Sequence, residues 1–306
     1  MSFPYLGETL ELNETTRASA DGSFASLPDG ITHYELGGPY AALPGGEDRP
    51  TEPIRAARPT VALVHGFSGP YFIFDPTFAH LTRAGFRVLR YDLFGRGWSD
   101  RPQTAYNIDL FVRQLRDLLD ALDLYEPIHL VGLSMGGVIS AAFTVRHPDR
   151  VASNIFIDPA GARAVKLRGL GLLKLPVLGE LAIGFGGERM VKGAAEGFFD
   201  PETVALFQAR YRVQMQFKGF RRAILSTLRN GMLGDFSETY RRLGALGKPV
   251  RLFWGGKDKA VPPAHSADLL KLIPQATLHV FEQCGHIPHY ERPAEFNALL
   301  AEFLAH

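Results

Sequence analysis

Short apolar runs alternate with longer amphipathic stretches along most of the chain. Six of these runs are bounded by glycine, proline or charge, as buried strands are, and they span residues 60–64, 86–91, 128–131, 151–157, 249–254 and 277–281. Residues 31–36 alternate apolar and polar positions, which predicts a half-buried strand. Between the runs, apolar positions recur at helical spacing, most clearly from Ile108 to Leu122. This alternation predicts an α/β fold in which helices flank a mainly parallel central sheet.

Three stretches depart from this alternation. Residues 1–30 are polar and turn-rich. Residues 37–59 are rich in glycine, proline and charge, which predicts a long surface connection. Residues 162–235 have helical character and contain no good strand run, so the sequence predicts a helical insertion there.

A Gly-x-Ser-x-Gly motif, from Gly132 to Gly136, follows the run at 128–131 and precedes a helix rich in small residues. A tight strand-to-helix turn of this kind strains the backbone of its serine, and the glycines let strand and helix approach closely. Ser134 then lies at a helix N-terminus, which favours developing negative charge. We predict that Ser134 is a nucleophile, and the alternative is a glycine-rich turn without chemistry.

Composition and charge exclude several classes of protein. The chain has 306 residues, of which 46% are hydrophobic and 21% charged, and its formal net charge is +1, which gives no field for binding nucleic acid. Cys284 is the single cysteine, so no intramolecular disulfide forms, and a buried inert thiol is favoured over a nucleophile. No signal peptide and no run of about 18 apolar residues are visible, so we expect a cytoplasmic protein without a membrane-spanning helix.

Three motifs together resemble those of the α/β-hydrolase family. Besides the Ser134 motif, Asp258 lies in Gly-x-x-Asp before a Val-Pro pair, and His286 lies in Gly-His-x-Pro-x-x-Glu-x-Pro. In that family the order serine, acid, histidine forms the catalytic triad. The resemblance covers nearly the whole chain after residue 30 and is to the capped carboxylesterase and monoacylglycerol-lipase-like branch. It implies a triad of Ser134, Asp258 and His286.

The same resemblance implies an oxyanion hole. The stretch His65-Gly66-Phe67 follows the run at 60–64, where the family carries part of that site. The implied donors are the backbone N–H groups of Phe67 and Met135. Each such donor stabilises a tetrahedral oxyanion by about 3 kcal/mol.

The helical insertion corresponds to the family's cap. We therefore predict a core domain of residues 1–161 and 236–306 and a cap of residues 162–235. Residues 170–185 are very apolar, which fits either a hydrophobic lid with an acyl-chain pocket or a helical hairpin packed on the core. Charged residues and a proline interrupt this stretch, so no stable membrane insertion is expected. The cap carries twelve Lys and Arg against six Asp and Glu, which fits an anionic substrate or a lipid surface, although a solvated face is the commoner explanation.

Other titratable residues near the motifs have competing interpretations. Asp158 also ends a predicted strand and is the alternative to Asp258 as the acid of the triad. His289 is interpreted as structural, because a metal site of His286, His289 and Glu291 lacks supporting spacing.

The loop after the run at 86–91 resembles the family's Asp-x-x-Gly-x-Gly-x-Ser stretch. Gly95 and Gly97 follow a strand as in a dinucleotide fingerprint, but Asp100 stands where the third glycine belongs, so NAD and FAD are excluded. Asp92 is expected to order this loop rather than to react.

The predicted function is hydrolysis of carboxylic esters with hydrophobic acyl groups, including monoacylglycerols. Ser134 attacks, His286 transfers the proton and Asp258 orients the imidazole, with a small ester as the partner and no cofactor or metal. Three alternatives stay open on this scaffold: a carbon–carbon bond hydrolase, a cofactor-free perhydrolase, and a ligand-binding or receptor protein with little turnover. Haloalkane dehalogenases and epoxide hydrolases are disfavoured, because they use aspartate at the nucleophile position.

Overall fold

The computed structural model describes residues 5–38, 59–165 and 170–305, and its centre is one eight-stranded sheet. The strands are β1 (Ser23–Leu27), β2 (Gly30–Gly37), β3 (Val61–Val64), β4 (Val88–Tyr91), β5 (Ile128–Leu133), β6 (Val151–Ile157), β7 (Val250–Gly255) and β8 (Thr277–Phe281). Their order in the sheet is β1-β2-β4-β3-β5-β6-β7-β8. β2 is antiparallel to β1 and β4, and all other neighbours are parallel. The predicted α/β fold is confirmed.

Helices cover both faces of this sheet. They are α1 (Glu14–Arg17), α2 (Asp75–Arg83), α3 (Ile108–Ala121), α4 (Met135–Arg146), α5 (Leu170–Lys174), α6 (Leu178–Phe185), α7 (Gly187–Ala194), α8 (Pro201–Gln214), α9 (Phe220–Arg229), α10 (Ser237–Ala245), α11 (Ser266–Leu272), α12 (Pro288–Glu291) and α13 (Pro293–Leu304). In β3, Val61 and Leu63 belong to one apolar cluster, whereas Ala62 and Val64 belong to another. Both faces of β3 are therefore buried, which explains its uninterrupted apolar sequence.

The N-terminal part departs from the prediction. Residues 1–30, expected to be turn-rich, contain α1 and the edge strand β1. No residue of β1 is fully buried, and a strand covered on one side needs no continuous apolar run. The predicted surface connection at 37–59 lies almost entirely outside the described residues.

The chain between β6 and β7 is helical, as expected, and contains no strand within the described residues. We call α5 to α9 the inserted helices. Among them α5, α6 and α9 pack together and α7 packs on α8, whereas α10 packs on α4 beside the sheet. The division into a core domain and a cap domain stays a prediction. Of the helices in the described residues, none combines the length and apolar character that a bilayer crossing requires.

Candidate active site

Ser134 occupies the turn between β5 and α4. Its φ of 54° and ψ of −116° are a strained combination for a residue with a side chain. A Cβ atom at Gly136 would lie 2.1 Å from the Val64 carbonyl oxygen, and one at Gly132 would lie 2.5 Å from the Gly136 carbonyl oxygen. Only glycine fits at these two positions, and the close approach of β3, β5 and α4 that they permit holds Ser134 at the carboxyl edge of the sheet.

Asp258 and His286 follow the two neighbouring strands β7 and β8, and their side chains meet. Asp258 Oδ2 lies 2.6 Å from His286 Nδ1. The other oxygen of Asp258, Oδ1, accepts hydrogen bonds from the backbone N–H groups of Ala260 (2.7 Å) and Val261 (3.0 Å). These bonds turn Oδ2 toward the imidazole. The proton of the neutral ring therefore lies on Nδ1, and Nε2 carries a lone pair.

One cavity of about 860 Å³ is lined by both Ser134 and His286. Its wall is mostly apolar, and the inserted helices contribute Leu173, Ile183, Met190, Phe207 and Leu228. Three charged side chains also line it, the cationic Arg189 and Lys259 and the acidic Glu196. Within the described residues neither Arg189 nor Lys259 forms an ion pair with a carboxylate. An apolar cavity with a few charged groups suits a small organic ligand.

Phe67 and Met135 both lie close to the nucleophile in the chain or in space. Phe67 lines the cavity, and a Cβ added to the preceding Gly66 would lie 3.3 Å from Ser134 Cβ. Met135 is the first residue of α4, so its N–H is at the positive end of the helix dipole. In the described part of the chain neither N–H donates to a protein acceptor. Both are free for a substrate oxygen, and their use in catalysis stays a prediction.

Asp158 lies beside the Asp258–His286 pair. It follows β6, and its Oδ1 accepts a hydrogen bond from the Gly255 N–H (2.9 Å). One of its oxygens lies within 4.8 Å of the ligand atoms of both Asp258 and His286. Burial, reinforced by the charge of Asp258, raises the pKa of Asp158 well above its ordinary value. The structure therefore pairs His286 with Asp258 and places next to them a third carboxyl group, Asp158, which the sequence offered only as the alternative acid of the triad.

Asp158, Asp258 and His286 have the residue types of a metal site. The 2.6 Å between Asp258 Oδ2 and His286 Nδ1 is, however, the length of a charge-assisted hydrogen bond. Two ligands of one tetrahedral ion lie about 3.3 Å apart or more. The pair therefore shares a proton rather than an ion.

The loop that carries His286 is hydrogen-bonded to the segment between α7 and α8. The His286 N–H donates to the Gly197 carbonyl (2.7 Å). Glu291 accepts from the Phe199 N–H through Oε1 (2.6 Å) and from the Gly285 N–H through Oε2 (2.7 Å). Both carboxylate oxygens are thus bonded to backbone, which argues against Glu291 as a metal ligand.

His289 and Cys284 are buried next to this loop. Burial lowers the pKa of His289 to about 3, so its ring stays neutral. Burial raises the pKa of the Cys284 thiol to about 12, which excludes a thiolate nucleophile at neutral pH. These properties agree with the sequence-based expectation that His289 is structural and that Cys284 is a buried, inert thiol.

Asp92 orders the loop after β4. Its Oδ1 accepts from the Tyr71 N–H (2.8 Å), and its Oδ2 contacts the Trp98 N–H (2.9 Å) and His33 Nδ1 (2.7 Å). His33 Nε2 lies 2.5 Å from the Asp21 carbonyl oxygen, so both ring nitrogens have acceptors. Burial alone would raise the pKa of Asp92 and lower that of His33, but their hydrogen bond reverses both shifts. They form a buried ion pair.

Comparison with known proteins identifies the family. A family model described as "Alpha/beta hydrolase family" matches residues 61–299. A 2-hydroxy-6-oxononadienedioate/2-hydroxy-6-oxononatrienedioate hydrolase from Pseudomonas putida is 31% identical over 264 residues, 81% of this chain and 88% of that protein. A 2-hydroxymuconate semialdehyde hydrolase from Pseudomonas sp. (strain CF600) is 32% identical over 227 residues, 72% of this chain and 76% of that protein.

A solved structure extends the likeness to the whole fold. It is a mutant of the meta-cleavage product hydrolase CumD from Pseudomonas fluorescens IP01, complexed with acetates, with a TM-score of 0.72 and 26% identity over 93% of this chain and 97% of that one. None of these three proteins is named a carboxylesterase or a monoacylglycerol lipase, so they do not support the branch that the motifs suggested. The chain therefore belongs to the alpha/beta hydrolase family and is an enzyme of the hydrolase class.

Proposed function

We propose that this enzyme hydrolyses a carbon–carbon bond next to a ketone in a small, enol-containing carboxylate. Relatives that are 31% and 32% identical are named for substrates of this kind, a hydroxy-oxo-dienedioate and a hydroxymuconate semialdehyde. The structural observation that supports the proposal most is the cavity shared by Ser134 and His286, because Arg189 and Lys259 also line it. Ester hydrolysis, the main prediction from the sequence, becomes the second candidate.

The proposed reaction begins with attack on the ketone. Ser134 Oγ adds to the carbonyl carbon while His286 Nε2 takes the hydroxyl proton, and Asp258 stabilises the resulting imidazolium. The carbonyl oxygen becomes an oxyanion that accepts hydrogen bonds from the N–H groups of Phe67 and Met135. This arrangement requires no cofactor.

Collapse of this intermediate breaks the carbon–carbon bond. For the electron pair to be delocalised, the dienol must first take its keto form, in which the enol proton has moved to the carbon next to the ketone under attack. The electron pair then leaves on that saturated carbon as a dienolate conjugated with the newly formed carbonyl, and the imidazolium returns its proton to the leaving fragment. A water molecule, deprotonated by His286, then hydrolyses the acyl-Ser134 ester and releases the second fragment as a carboxylic acid. An ester would follow the same steps with an alkoxide as the leaving group.

The cationic side chains supply the specificity in this proposal. Arg189 on α7 and Lys259 in the loop after β7 reach the cavity from two elements. A carboxylate that enters a mostly apolar cavity loses its hydration and needs a cation in exchange. The proposed partner is therefore a small anionic molecule, and neither nucleic acid nor stable membrane insertion is part of the proposal.

Ester hydrolysis is supported by a different part of the wall. Leu173, Ile183 and Leu228 from the inserted helices present an apolar surface that fits an acyl chain. An ester substrate with a neutral acyl group would not need Arg189 or Lys259.

The test compares two substrate classes on the same enzyme. Loss of the dienolate absorbance of a 2-hydroxy-6-oxo-dienedioate measures carbon–carbon hydrolysis, and a p-nitrophenyl ester series from acetyl to long acyl chains measures esterase activity. We expect turnover of the dienedioate, lost by a factor of about 10⁴ or more in Ser134→Ala. Ser140→Ala is the matched control, since Ser140 is buried on α4, the helix that begins immediately after Ser134.

A charge variant separates the two candidates further. Lys259→Met should lower kcat/KM for the dienedioate about tenfold and leave a neutral ester unaffected. Turnover of esters alone would reject the proposal in favour of the second candidate. Saturable dienedioate binding without turnover of either class would reject both and favour a ligand-binding protein.

A further inference from the structure

A fully buried arginine, Arg96, connects the oxyanion loop (residues 65–69) to the inserted helix α9. Its Nε donates to the Phe67 carbonyl (2.8 Å), and its Nη2 donates to Thr227 Oγ1 (2.9 Å). Its Nη1 donates to the Phe94 carbonyl (3.1 Å). One guanidinium therefore bonds three separate parts of the chain in a fixed fork.

Arg96 holds the residue whose N–H binds the oxyanion in the proposed reaction. Phe67 has two flanking peptide groups, and each has its carbonyl bonded by a buried side chain. Arg96 bonds the carbonyl that follows, and His65 Nδ1 lies 2.9 Å from the Gly66 carbonyl, which belongs to the same peptide group as the Phe67 N–H. Since a peptide group is planar and trans, fixing the Gly66 carbonyl also fixes the direction of that N–H.

The structure determines which nitrogen of His65 carries the proton. The Leu93 N–H donates to His65 Nε2 (2.9 Å), so Nε2 is the acceptor and Nδ1 is the donor to Gly66. Burial lowers the pKa of His65 to about 4, which keeps the ring neutral in this tautomer near pH 7. The bond from His65 thus lies within the loop, whereas the bonds from Arg96 extend beyond it.

Thr227 supplies the connection to the inserted helices. It is buried on α9, and its hydroxyl donates to the Ala223 carbonyl (2.8 Å) while it accepts from Arg96. Within the described residues Arg96 has no carboxylate partner, and burial lowers its pKa to about 10. A desolvated cation without a counter-ion depends on its few acceptors, so losing one shifts the guanidinium.

We propose that Arg96 is a positioning residue that holds Phe67 in its donor geometry and, through Thr227, makes that geometry depend on the placement of α9. The inference rests on the proposed function, in which the Phe67 N–H binds the oxyanion. A change in how α9 packs around a substrate would therefore alter the stabilisation of the transition state as well as substrate binding.

The test removes the Thr227 acceptor and leaves Arg96 in place. Thr227→Val keeps the shape of the side chain, and Thr227→Ser restores the hydroxyl. Thr144→Val is the matched control, because Thr144 is buried on α4 and also donates to the carbonyl four residues earlier while contacting a second polar group. For each variant we would measure kcat and KM, and the ¹⁹F signal and affinity of a trifluoromethyl ketone that forms a tetrahedral adduct with Ser134.

Thr227→Val should lower kcat and the ketone affinity by a common factor of about ten, with KM unchanged, because a loosened donor costs less than the loss of an oxyanion-hole donor. Thr227→Ser should lie within about twofold of the wild type, and Thr144→Val should lose only stability. Wild-type kcat and ketone affinity in folded Thr227→Val, or equal losses in Thr144→Val, would overturn the inference. A wild type that forms no ketone adduct and turns over no substrate would instead overturn the proposed function, and this inference with it.

Discussion

Replacement of Asp258 by asparagine exchanges one oxygen of the acid–imidazole pair for an NH₂ group and leaves the packing intact. Oδ1 of Asp258 already accepts two backbone N–H groups, from Ala260 and Val261. The amide oxygen of the asparagine will therefore take that position, and its Nδ2 will face His286 Nδ1. Two N–H donors cannot bond to each other, so the ring proton of His286 will move to Nε2.

The size of the effect follows from that tautomer. With a proton on Nε2, His286 has no lone pair for the Ser134 hydroxyl, and the general base is lost although every heavy atom stays in place. A change of this kind lowers kcat by about 10⁴ in a serine hydrolase. That factor corresponds to about 5.4 kcal/mol of activation free energy.

The assay is kcat for the dienedioate and for an ester, together with thermal unfolding to verify the fold. Asp158→Asn is the control, because it makes the same chemical change in the neighbouring carboxyl group, which does not hydrogen-bond the imidazole, and we expect it to lower kcat by less than about tenfold. A folded Asp258→Asn enzyme that loses less than about tenfold would refute the reasoning, as would an Asp158→Asn enzyme that loses about as much as Asp258→Asn.

Three further predictions concern stability, each measured by urea unfolding. The raised pKa of Asp158 means that the native state binds more protons than the unfolded chain above about pH 4, so wild-type stability falls with rising pH by up to about 1.4 kcal/mol per unit, and Asp158→Asn should remove this slope. His33 has a raised pKa, so its stabilising charge is complete below about pH 6.5 and disappears as the pH rises through the native pKa; His33→Gln should therefore cost most below about pH 6.5 and progressively less as the pH rises above it. An added Cβ at Gly136 would lie 2.1 Å from a backbone oxygen, so Gly136→Ala should destabilise by about 3 kcal/mol or more, whereas Gly193→Ala on α7, with open space around it, should not destabilise.

The central strands were predictable because both their faces are buried. β3 is fully buried at every position and therefore forms an uninterrupted apolar run. The edge strand β1 has no fully buried residue and was missed for that reason. Ser134, Asp258 and His286 could be proposed because each lies in a short motif at the end of a strand, where a parallel sheet brings loops together.

Contacts between distant segments could not be predicted in the same way. The approach of Asp158 to Asp258 depends on β6 lying next to β7, and the bond between Arg96 and Thr227 joins positions 131 residues apart. The motifs also could not distinguish hydrolysis of an ester from hydrolysis of a carbon–carbon bond. Both reactions begin with serine attack on a carbonyl and differ only in the leaving group, which the triad residues do not specify.

A chimeric enzyme that takes its inserted helices from a relative would have to retain the backbone hydrogen bonds made by residues 197–199. The Gly197 carbonyl bonds the His286 N–H, and the Phe199 N–H bonds Glu291, which in turn bonds Gly285. A graft with its junction between α7 and α8 would disrupt the hydrogen bonds that hold the His286 loop. We expect such a chimera to lose activity even if it folds. Exchange of α5 and α6 alone would leave that support untouched, so it is the safer route to a new substrate range.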